Sequence, residues 1–145
     1  MSGLASDERF KTALESLVEA FGHYGHTIII VPWQADELPV IRSNYILPDI
    51  TDPLKAFDAA KAINDLTRSP FGLGYEEAYE VAHAWRRLNA EIVSYERATG
   101  RSYTIVMVMG CFYNPIKTSV DGVEAVTLGI DAVELLETAL SQRRV

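Results

Sequence analysis

Histidine and cysteine are scarce in this chain, so the few places where they stand are where chemistry would have to begin. His23 and His26 lie in Gly22-His23-Tyr24-Gly25-His26. Two imidazoles three residues apart can share a zinc ion when a carboxylate such as Asp36 or Glu37 completes the set. The glycines break this segment into a turn, however, so no helix face aligns the rings, and spacing fixes no third ligand. The competing reading is a loop whose rings cap helix carbonyls or stack on Trp33, because loose histidine pairs match zinc patterns freely by chance. The expectation is no metal and no cofactor, with His23 and His26 as weak metal candidates.

Cys111, the only cysteine, follows an apolar run in Met109-Gly110-Cys111-Phe112-Tyr113-Asn114-Pro115. A thiol just past a strand end has a suitable address for a nucleophile, with His83, His23 or His26 as its possible base. No elbow motif surrounds it, and a buried cysteine usually packs as a small hydrophobe. It is therefore kept as a reactive-thiol candidate, with no catalytic residue assigned. His83 shares its segment with Trp85, Arg86 and Arg87. If Trp85 faces the core, His83 lies about 200° round the helix and belongs to a solvated face. Asp36-Glu37 and Glu76-Glu77 are adjacent acids, and neighbours on a helix point about 100° apart, so Glu76-Glu77 is no acid/base pair. Gly72-Leu73-Gly74 lacks the lysine of a phosphate loop and the third glycine of a dinucleotide fingerprint. HExxH, GxSxG, CxxC, EF-hand, Walker and kinase signatures are all absent from the chain.

Recognition surfaces have better raw material. Tyr, Trp and Arg carry interface energy, and the chain has seven Tyr and two Trp. The segment Val31–Pro39 puts Trp33, Leu38 and two prolines into irregular structure, where a tryptophan either plugs a core or anchors a partner. Trp33, Leu38, Tyr45, Phe71 and Tyr113 are the interface candidates.

These residues must be held by elements that periodicity reveals. Phe10, Ala13, Leu14, Leu17, Val18 and Phe21 form the stripe of an amphipathic helix over about 7–21, capped by Ser6 and stopped by Gly22. Thr27–Val31 and Tyr103–Met109 are apolar on both parities, so each reads as a strand covered on both faces. A second strand is expected through residues 40–47, at an edge because prolines flank it. Asp52-Pro53 starts a helix with an Asx cap and proline at its first position. Its stripe is Ala56, Ala59, Ala60, Ile63 and Leu66, with Leu54 and Phe57 at the side. A long helix over about 75–98 buries Ala78, Val81, Ala82, Trp85, Leu88, Ile92 and Tyr95, with Gly100 as its stop. Asp121-Gly122 signals a two-residue hairpin turn between Lys117–Val120 and a strand to Leu128. A helix near 131–142 follows, ended by Arg143 and Arg144; one continuous helix from Val123 is the alternative.

The resulting order is α-β-β-α-α-β-β-β-α, a single α+β domain over residues 1–145. It is a sandwich of a mostly antiparallel sheet of about four to five strands with about four helices. Length fits one core, at 145 residues, and 48% apolar with 23% charged residues is the ordinary globular range. The net charge of −7 disfavours a phosphate-binding surface, so nucleic acid is not an expected partner. The longest apolar runs are far shorter than the ~20 residues of a membrane helix, and one cysteine suits a reducing compartment. A cytoplasmic location, or assembly into a virion, is expected.

The opening helix, the apolar strand and Asp36-Glu37-Leu38-Pro39-Val40 resemble the start of phage tail-terminator and neck subunits over about a third of the chain. Those subunits place more strands before their second helix. The resemblance implies a structural subunit of an assembly. Together with the missing catalytic motifs, the reading is a non-enzymatic interaction module that self-assembles or docks on a larger protein. It would be a phage or virus structural subunit or an acidic inhibitor. The alternative is a small-ligand-binding protein or hydrolase-like enzyme with a pocket near Cys111 and His23/His26.

Overall fold

A computed structural model describes residues 3–45, 47, 49–66, 75–109, 117–120, 123–126 and 132–143. After a 3-10 turn at Leu4–Ser6, the first helix, α1, is Glu8–Phe21. Its cap is Asp7 rather than Ser6: the Phe10 amide donates to Asp7 Oδ1 at 2.9 Å. Ser6 lies one residue before the cap position, closing the 3-10 turn, with its hydroxyl donating to the Gly3 carbonyl at 2.9 Å. The buried stripe is Phe10, Ala13, Leu14, Leu17 and Phe21.

Strand β1, His26–Pro32, is buried along its whole length. Strand β2 spans only Val40–Ser43 and stops short of residue 47. Asn44 ends it by turning its side chain on the neighbouring backbone. Its Oδ1 accepts from the His26 amide at 2.9 Å and its Nδ2 donates to the Tyr24 carbonyl at 2.8 Å. Helix α2, Pro53–Leu66, starts as its Asx-Pro signal requires, with the Leu54 and Lys55 amides donating to Asp52 Oδ1. Phe57 lies at the centre of the α2 packing face, buried with Ala56 and Ala60.

Helix α3, Tyr75–Thr99, buries Val81, Trp85, Leu88 and Ile92, whereas Ala82 and Tyr95 are only half-buried. It stops at Gly100, whose φ of 73° suits a residue without Cβ. Strands β3 (Tyr103–Met109), β4 (Lys117–Val120) and β5 (Val123–Val126) follow, then helix α4 (Ala132–Gln142). Val120 pairs with Val123, so residues 123–126 continue a hairpin instead of beginning the last helix.

The strands form one antiparallel sheet in the order β2-β1-β3-β4-β5. The fold is α+β, with helices on both faces. Alternate residues of the two inner strands serve two cores. Ile28, Ile30, Tyr103, Ile105 and Met107 pack with α1 and α3. Ile29, Val31, Val106 and Val108 pack with α2 and α4. Each buried aliphatic side chain contributes about 1.5–3 kcal/mol, so a strand serving two cores has no polar parity. Among the described residues no helix is long and apolar enough to cross a membrane.

Candidate functional site

The loop between β1 and β2 is built around one carboxylate. The chain leaves β1 with the Trp33 amide donating to the Ser102 carbonyl at 2.9 Å, then turns so that the Glu37 amide donates to the Gln34 carbonyl at 3.2 Å. That turn points the Glu37 side chain inward, where the residue keeps only 8% exposure. Its Oε2 accepts from the Leu4 amide at 2.8 Å, and its Oε1 accepts from the Tyr103 hydroxyl at 2.8 Å and from Arg101 at 3.1 Å. Arg101 also donates to both oxygens of Asp36, at 3.0 and 3.1 Å.

From the other side, the guanidinium of Arg143, just past α4, reaches back to the loop. It donates to the carbonyls of Pro32 at 2.9 Å and Glu37 at 2.6 Å. Three segments far apart in sequence thus fix this loop: the amino end, the α3–β3 connection and the end of α4.

The electrostatics follow from this packing. Burial, assisted by the adjacent Glu37, raises the Tyr103 hydroxyl well above its ordinary pKa, so it remains a donor. The hydrogen bond from Arg101 holds Asp36 below the usual carboxylate range, and the same bond raises Arg101. Bonded by a backbone amide, a phenol and a guanidinium, the buried Glu37 carboxylate acts as a structural acceptor. What the loop offers to the outside is Leu38, exposed to 82% between the buried Glu37 and the half-buried Pro39.

The other interface candidates have different positions. Trp33 is half-buried against the α2–α4 core and its Nε1 donates to Thr104 Oγ1 at 3.0 Å. Tyr45 is half-buried against the same core. Phe71, Tyr113 and Cys111 lie outside the described residues.

The histidine turn separates its two rings. His26 begins β1 buried, stacked on Phe21 at 4.3 Å rather than on Trp33, with Nδ1 3.0 Å from the Tyr24 carbonyl. Desolvation lowers its pKa. His23 is exposed. Neither Asp36 nor Glu37 turns to them, since both carboxylates engage Arg101. Among the described residues no group of three His, Cys, Asp or Glu is arranged to hold a metal ion. The β1–β3 register pairs His26 with Met109, so β3 ends beside the turn that opens β1. His83, Arg86 and Arg87 lie on an exposed face of α3.

Sequence reasoning missed Glu37 as an acceptor and missed Leu4, Tyr103, Arg101 and Arg143 as its frame. Arg143 reads from sequence as complementing a helix C-terminus, and only its reach to residues 32–37 reveals the clamp. A glutamate flanked by a proline-bounded loop is the one local hint. Comparison with protein-family models, curated proteins and solved structures finds no match for this chain.

Proposed function

We propose that the protein is a non-enzymatic protein–protein interaction module that engages a protein surface, its own copy or a larger partner, through the 33–39 loop. The observation that carries this reading is an 82%-exposed leucine on a loop locked beneath it by a buried carboxylate. Burying one leucine is worth about 1.5–3 kcal/mol. A loop already held in place loses little conformational entropy on binding, so more of that gain appears as affinity.

Asp36, half-exposed and paired with the largely buried Arg101 at 3.0 Å, places a polar group two residues from the apolar anchor, as at the rim of protein interfaces. The test is light scattering on the native chain together with capture of binding proteins from its host, each repeated with Leu38→Asp. The parent is expected to be a multimer or to retain a defined partner, and the variant to lose that association while keeping its fold. Identical association in both forms would refute the role of Leu38.

A further inference from the structure

A second recognition feature lies at the other end of the α1–α3 layer. Each of these helices enters its strand through a short connection, and β1 and β3 are antiparallel, so α1 and α3 are antiparallel too. A groove of 450 Å³ therefore joins the last turns of α1 to the first turns of α3. Small side chains open it: Ala20 and Ala84, packed on the core beneath, form an apolar floor.

The two ends of the groove differ in charge. Glu19 and Glu80 stand with Tyr79 at one end, and Ser16 and Arg87 at the other. Glu80 and Arg87 are about 10 Å apart along the helix axis. Among the described residues none of Glu19, Glu80 and Arg87 makes an ion pair, whereas Glu15 on α1 is held by Arg42. Tyr79 is 63% exposed, and its ring is backed by His83 at 6.0 Å, nearly parallel.

We propose that this groove binds a basic amino acid of the arginine type, either free or as the carboxyl-terminal residue of a peptide. Its guanidinium lies against the Tyr79 ring and forks onto a carboxylate, which a planar five-donor group does better than an ammonium. Its aliphatic stem covers Ala20 and Ala84. Its carboxylate meets Arg87 and the Ser16 hydroxyl at the opposite end. The groove uses α3 residues 79–87, whereas the Leu38 loop is held by Leu4, Arg101, Tyr103 and Arg143, so either reading can fail without the other.

The test is titration of the full chain with L-arginine, agmatine and Gly-Gly-Arg, followed by NMR of the Tyr79 and His83 ring protons. Because exposed ion pairs are weak, saturation by L-arginine is expected near 1 mM, with agmatine roughly tenfold weaker for want of a carboxylate. Glu80→Gln and Arg87→Gln should each weaken binding roughly fivefold, and Tyr79→Ala more, with circular dichroism unchanged because all three are exposed. Saturation by Gly-Gly-Arg as tight as by L-arginine assigns a peptide terminus; saturation by L-arginine alone assigns the free amino acid. Ring shifts that fail to saturate with either by about 10 mM, or equal affinity for agmatine and L-arginine, would overturn the proposal.

Discussion

Replacing Glu37 by alanine removes the acceptor on which the 33–39 loop is built, and its cost can be worked from the contacts. The Leu4 amide and the Tyr103 hydroxyl, both on fully buried residues, lose their partner, at about 1–3 kcal/mol each. Arg101 retains Asp36, so its loss is smaller. The expected destabilisation is about 3–5 kcal/mol, in the range for breaking a buried charged network. With a urea m-value of roughly 2 kcal/mol/M for a domain of this size, the midpoint falls by about 2 M. The assay is urea unfolding followed by tryptophan fluorescence, run with Glu37→Ala, Tyr103→Phe and the double variant. Since the two groups bond each other, Tyr103→Phe should cost at least about 1 kcal/mol less when Glu37 is already alanine. A Glu37→Ala protein within about 1 kcal/mol of the parent, or additive single effects, would refute the claim that this carboxylate holds the loop.

Acidification acts through His26. Burial, the largest cause, lowers its folded pKa below the ordinary 6.5, so the unfolded chain takes the proton first. Its contribution is therefore complete above pH 6.5 and is lost as pH falls below that value, and thermal melts between pH 7.5 and 5 should show the decline. In His26→Phe the slope just below pH 6.5 should flatten. Trp85, fully buried on α3 among α1 side chains, should cost about 3–5 kcal/mol on replacement by alanine, read as a drop in the chemical-denaturation midpoint.

Much of the fold was legible because it is written in local spacing. The α1 stripe recurs at three and four residues, Asp52-Pro53 is a cap and a start within two positions, and Thr27–Val31 shows apolar side chains on both parities. Each of these rests on a side chain and backbone only a few residues apart. The misplacements are also local. Ser6 is one residue out as the cap of α1: it closes the 3-10 turn Leu4–Ser6, and the helix starts at Glu8, so the cap position falls on Asp7. The second strand was expected to run to residue 47, but Asn44 substitutes its side chain for the ladder.

The candidate site was far less legible. Leu38 stood out by type and position, yet nothing in Asp36-Glu37-Leu38-Pro39 says that the middle carboxylate turns inward and the leucine outward. The partners that decide it lie 33, 66 and 106 residues away in Leu4, Tyr103 and Arg143. The charged ends of the α1–α3 groove likewise exist only because two antiparallel strands align their helices. Sequence alone determined which segments coil, which extend and which faces must be buried, since periodicity is a property of one element. Tertiary structure decided which polar groups are buried together and which apolar one is left in water, because satisfying a buried donor depends on what the rest of the chain brings within 3 Å of it.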